Sequence, residues 1–173
     1  MDEIATLGLF AQLAVALTGF AGLLTAFRSR REGWLPIEVA GIKILLMTSV
    51  AAMGFSALPV PMLVAGWSVD RAFGLSSVLL GAHFIVAFAA GLHMVLKKKL
   101  RPRRPVLFWI FTAALIPMAA LLFLSAFGVL APGAGLYCAG LLFLLVVATA
   151  QFLFQVLASI TQPAGEMTGD RLS

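Results

Sequence analysis

Charge is scarce in this chain. Of 173 residues, 12 are Lys or Arg and seven are Asp or Glu, 11% in all, against 62% hydrophobic residues and a mean hydropathy of +1.07. An ordinary soluble domain carries about 25% charged residues, so a water-soluble globule is excluded: too little polar surface is available to cover so much apolar material. The single cysteine, Cys138, excludes an internal disulfide and reads as a packed thiol. Two histidines, His83 and His93, are too few for a His-rich metal pattern. Ten residues apart on one helix, they stand roughly 15 Å from each other on different faces and cannot clamp one haem within a monomer. No Cys or carboxylate matches His83 in depth to complete a metal site, so neither metal nor cofactor is expected. Also missing are a phosphate-cradling glycine loop, paired membrane carboxylates and a nucleophile elbow. Ser49 and His83 lack a third group that would make them an intramembrane hydrolase. No catalytic residue is assigned.

What is present is five apolar stretches near membrane-spanning length. A bilayer core about 30 Å thick needs about 20 residues of helix, and the candidates run over about 4–27, 36–58, 72–96, 106–127 and 136–160. The first opens with Asp2 and Glu3 and closes on Arg28, Arg30 and Arg31, the reverse of a secretory signal, so it reads as a retained helix. The second starts at Pro36, a favourable first helical position, and is expected to stop near Leu58, because Pro59 and Pro61 each remove a helical donor. Asp70 is the expected N-cap of the third span, which Lys97, Lys98 and Lys99 halt. Pro117 is expected to kink the fourth. The fourth and fifth form a hairpin around Pro132 and Gly133. The reading is an all-α polytopic transmembrane bundle in one domain, 1–160, with a short polar cytoplasmic tail, 161–173.

Cytoplasmic loops hold an excess of Lys and Arg. Eleven of the twelve cations, all but Arg71, fall on the side of the first loop, the third loop and the tail, which predicts N-terminus out and C-terminus in. Trp34, Trp67, Trp109 and Tyr137 lie near helix ends, where Trp and Tyr prefer the headgroup layer. The basic loop 97–104 reads as a stop signal that touches anionic lipid, with no nucleic-acid partner.

Small residues allow close helix approach in lipid. Ala11, Ala14, Thr18, Gly22 and Thr25 make one stripe on the first helix, Gly74, Ser77 and Gly81 another on the third, and Ala40, Gly41, Thr48 and Ala52 a looser set on the second. Internal packing is the simpler use of these faces, with an oligomer contact as the alternative. The polar side chains near mid-membrane are Thr18, Thr48, Ser49 and His83, and His83 is read first as a hydrogen-bonded structural group. Toward the basic side stand Arg28, Glu38, Lys43, His93, Gln151 and Gln155. Gln151 and Gln155 share a helix face, and Lys43 is long enough to snorkel. Were these faces to converge, Glu38, Lys43, His93, Gln151 and Gln155 would line a cytosol-facing polar pocket; the alternative is interfacial snorkelling with one interhelical glutamine bond. Met47, Met53, Met94 and Met118 lack regular spacing and read as core filling.

The run from Ala14 to Phe27 (Ala-Val-Ala-Leu-Thr-Gly-Phe-Ala-Gly-Leu-Leu-Thr-Ala-Phe), the arginines after it, Trp34-Leu35-Pro36-Ile37-Glu38 and the Ala57-Leu58-Pro59 ending resemble a group of small bacterial multi-spanning membrane proteins of uncharacterised function. Family members carry several arginines in the first turns of the second helix, whereas here Val39, Ala40, Gly41 and Ile42 precede a single Lys43. The resemblance implies a bacterial inner (cytoplasmic) membrane, with the bilayer as solvent, and implies no activity.

The functional expectation is a structural or accessory subunit that assembles with copies of itself or with a larger membrane complex. A small oligomeric transporter or channel using the polar pocket is the alternative. A haem-linked electron-transfer subunit, with ligands from two chains, is the second.

Overall fold

The computed structural model describes residues 3–28, 36–96, 105–130 and 134–160, with side chains at 4–23, 41–93, 95–96, 109–130, 134–154 and 156–157. The basic loops, Trp34, the Pro132–Gly133 turn and the tail 161–173 lie outside the described residues. Every regular element among those described is helical: α1 (Glu3–Arg28), α2 (Pro36–Ala57), α3 (Pro59–Val64), α4 (Val69–Leu96), α5 (Pro105–Ala126) and α6 (Ala134–Ile160). Five stretches are long and apolar enough to cross a membrane, at Ile4–Leu23, Gly41–Val64, Val69–His93, Trp109–Ala126 and Ala134–Phe154. The chain is therefore a multi-pass helical membrane protein.

The second span is longer than the sequence suggested. Helix resumes at Pro59 directly after Leu58, whose φ and ψ of −59° and −43° remain helical, and continues to Val64. Proline is acceptable at the first position of a helix because that N–H has no intrahelical partner in any case. Pro59 and Pro61 thus interrupt the hydrogen-bond ladder without ending the crossing. The start of α4 also differs. Ala72 N donates to the Ser68 carbonyl at 3.0 Å, which places Ser68 at the cap and Asp70 inside the first turn. Two glycines finish the helices at this end. Gly66 (φ +82°) and Gly128 (φ +73°) occupy the left-handed region, and the following N–H groups, of Trp67 and Val129, reach back to Met62 and Leu124 at 3.1 and 3.0 Å. That pattern satisfies carbonyls that would otherwise end bare in an apolar environment. Helix α5 runs through Pro117 without a break.

Three helices form one body. Buried positions fall at Leu7, Ala14 and Ala21 on α1, at Ile42, Leu45, Ser49, Ala52 and Ser56 on α2, and at Tyr137, Leu141, Leu144 and Ala148 on α6. Steps of seven, or of three and four, are those of helices that keep one seam together at a shallow crossing angle, and α1 packs mainly on α2, and α2 on α6. Alanines at 14, 21, 52 and 148 let the backbones approach.

Helices α4 and α5 form the second body. A Cβ at Gly81 of α4 would lie 3.2 Å from the Phe123 ring and 3.5 Å from the Ala119 carbonyl, and one at Gly74 would lie 3.9 Å from the Ala126 carbonyl. Gly74, Ser77 and Gly81 therefore face α5. The two bodies join around α6. Phe73 meets Tyr137 and Phe84 meets Phe143, both edge-on, with ring centroids 5.6 and 5.8 Å apart, and a Cβ at Gly140 would lie 2.9 Å from Leu80 Cδ2. The last buried residue of α4 is Phe84; from Ile85 to Leu96 none of the described side chains is buried. Toward the basic loops, Ala21, Leu45 and Ala148 keep α1, α2 and α6 closed.

Candidate functional site

Three of the five residues of the expected polar pocket have described side chains. Lys43 and His93 are exposed and Gln151 is half-buried; the side chains of Glu38 and Gln155, like those of Arg28 and Thr25, lie outside the described residues. Helical periodicity places Gln151 on the seam between α6 and α2, and His93 stands in the last turn of α4. Among the described residues no group of three or more metal-ligating side chains gathers.

The mid-membrane polar residues turn inward on their own helices. Thr18 donates to the Ala14 carbonyl at 2.9 Å and Thr48 to that of Ile44 at 2.8 Å, so each hydroxyl is satisfied one turn back. His83 is half-buried, with its ring 5.3 Å from Phe55 and 6.3 Å from Phe84, centroid to centroid, which gives it an aromatic setting. Ser49 and Ser76 are fully buried, and among the described residues the Ser49 hydroxyl has no hydrogen-bond partner.

Tyr137, in the first turn of α6, is fully buried among the helices, and its hydroxyl donates to the Phe55 carbonyl. The cause lies in Pro59. Lacking an N–H, Pro59 cannot bond the carbonyl four residues earlier, and Leu58 N reaches it only at 3.3 Å. An unmet carbonyl in hydrocarbon is costly; Tyr137 answers it from the neighbouring helix. From sequence, a tyrosine near a helix end reads as interfacial whichever way it points.

One polar residue was passed over by reading for charge. Gln12 lies eight residues into the Ile4–Leu23 span, about 12 Å along the helix and near mid-bilayer. It is exposed and has no hydrogen bond among the described residues. Ala5, Gly8, Gln12, Val15, Gly19 and Gly22 follow at steps of three and four, and all are exposed. They form a line that avoids the buried Leu7, Ala14 and Ala21. A Cβ added at Gly8, Gly19 or Gly22 would meet nothing within 4 Å. The earlier stripe is thereby divided: Ala14 is buried, Ala11 and Thr18 sit at the edge of the seam, and Gly22 faces outward. The signal for this face was in the sequence, as an amide among glycines in an apolar run, but identifying it requires knowing which side of α1 the bundle covers.

A scan against family models and searches of curated proteins and of solved structures found no match for the chain.

Proposed function

We propose that the chain is a non-catalytic subunit of an oligomeric membrane assembly, and that the outward face of α1 is its contact surface. The carrying observation is Gln12 among open glycines. An amide with no partner in hydrocarbon costs about 2 kcal/mol or more, and each glycine inside a helix costs about 0.5–1 kcal/mol relative to alanine. Among the described residues nothing offsets either cost. Against a second helix both become useful: glycines permit close backbone approach, and glutamine supplies an interhelical hydrogen bond. Under this proposal the chain sits in a bacterial inner membrane, with the N-terminus outside and the basic loops inside, as the cation distribution indicates.

A photoreactive p-benzoylphenylalanine at position 12 or 19 tests the contact in the native membrane. One discrete protein adduct is expected from each site, and none from position 86 or 116, where Val86 and Ile116 are 66% and 51% exposed on other helices. Adducts with lipid alone at all four positions would sink the proposal. A companion prediction concerns stability. In detergent that separates the subunits, Gly8→Ala and Gly19→Ala should each raise resistance to denaturation by up to about 1 kcal/mol, because only helix propensity is changed, whereas in the assembled state Gly19→Ala should weaken association.

A further inference from the structure

At the end opposite the basic loops, the turn between α3 and α4 forms an open recess of about 460 Å³ lined by the exposed Gly66, Trp67, Ser68 and Arg71, a volume within the range of small-ligand sites. We infer that this recess holds a phosphate-bearing lipid headgroup, with the Arg71 guanidinium as its principal contact.

Position comes first. Val69 opens a span that runs to His93, so the recess lies where hydrocarbon gives way to water. Trp67, 47% exposed, is the residue type that settles at that level. Chemistry comes second. Arg71 has no hydrogen bond or ion pair among the described residues, and it is the one Lys or Arg at this end among the described residues. A guanidinium presents two parallel donors that match phosphate oxygens. Ser68 adds a hydroxyl donor. The first-turn N–H groups of α4 precede the first helical bond, Ala72 N to Ser68 O, and their partial positive charge favours an anion at the same place. Asp70, the neighbouring carboxylate, is not among the lining residues. Gly66, with no side chain, leaves the mouth open. The phosphodiester of a membrane phospholipid is at this depth at high local concentration, so it is the occupant.

The test is native mass spectrometry from nanodiscs containing phosphatidylglycerol and a phosphate-free digalactosyl lipid. The wild-type chain should keep one phosphatidylglycerol that survives Lys97→Gln/Lys98→Gln/Lys99→Gln in the basic loop. Arg71→Gln should reduce that adduct about tenfold, the loss expected for one charge-assisted contact, and Arg71→Lys should fall between. Arg71 is exposed, so helix content by circular dichroism should stay unchanged in both. Equal retention in Arg71→Gln, or equal retention of the galactolipid, overturns the inference. Calorimetry with inorganic phosphate in nanodiscs of galactolipid alone separates the sources: no binding is expected, and saturable binding that Arg71→Gln abolishes would overturn the lipid assignment in favour of a soluble anion.

Discussion

Replacing Gly140 with leucine should cost about 3 kcal/mol or more of bundle stability, whereas the same change at Gly8 should be neutral or slightly favourable in dissociated subunits. Helix propensity favours leucine over glycine at both sites by nearly 1 kcal/mol, so the difference isolates packing. At Gly140 a bare Cβ already comes within 2.9 Å of Leu80 Cδ2 and 3.4 Å of Leu122 Cδ1. Both leucines are fully buried and cannot swing aside. Three further carbons must push α6 away from α4 and α5, at the level where those helices join the rest of the molecule. Overpacking of a core typically costs about 1–3 kcal/mol and sometimes more; here the strain acts on the joint between two bodies, which places it at the upper end. Gly140→Ala should be milder, since a shift of a few tenths of an ångström relieves it. Unfolding in mixed micelles with increasing denaturing detergent, followed by circular dichroism, ranks the three variants. A Gly140→Leu chain as stable as wild type would mean that α6 does not sit between Leu80 and Leu122.

The second large effect is expected at Tyr137. Tyr137→Phe keeps the ring, which stacks edge-on against Phe73, and removes only the donor to the Phe55 carbonyl. A buried acceptor left unmet costs about 1–3 kcal/mol. The diagnostic is the dependence on Pro59. Pro59→Ala restores an N–H four residues beyond Phe55, and α2 then supplies its own donor. In that background Tyr137→Phe should cost under about 0.5 kcal/mol, and the double-mutant cycle should show a coupling of about 1–2 kcal/mol between residues on different helices. Additive losses would show that the tyrosine hydroxyl matters for some reason other than the carbonyl that proline leaves with only the 3.3 Å bond from Leu58 N.

These two positions show where sequence reading reaches its limit. Five apolar crossings were legible because span length and charge placement are properties of each segment alone. The boundaries followed within a few residues; α2 ends at Ala57, one residue from the expected stop, but the crossing goes on through α3 to Val64. Proline's missing donor was read correctly, but its effect was to recruit a partner from α6, not to end the crossing. Periodicity gave Gly74, Ser77 and Gly81 a common face; it did not say that α5 would cover it or that Gly140 would meet Leu80 from α6. The expected pocket depends on Glu38 and Gln155, whose side chains lie outside the described residues; of the others, Lys43 and His93 are exposed and Gln151 is half-buried. Gln12 was missed because an uncharged amide does not interrupt a hydropathy profile, although at mid-bilayer its cost is of the same kind as a charge's.

The helix seam also explains why the α1 face is available. Leu7, Ala14 and Ala21 recur every seventh residue, so α1 gives a single narrow edge to α2 and α6 and leaves the remainder of its circumference outward. A helix held by one edge is free to use another. The residues on that other line are three glycines, Ala5, Val15 and the Gln12 amide, a composition rich in the small residues and polar groups that pack helix against helix.

The central claim is assembly through α1, and the most direct measurement is the mass of the particle released gently from its own membrane, for the wild type and for Gln12→Leu. The account predicts a multimer of defined number, or a complex of fixed stoichiometry with another subunit. In Gln12→Leu the subunit should dissociate at a concentration about tenfold higher, the equivalent of one interhelical hydrogen bond of about 1–2 kcal/mol. A monomer in both cases, at every lipid ratio tried, would contradict it.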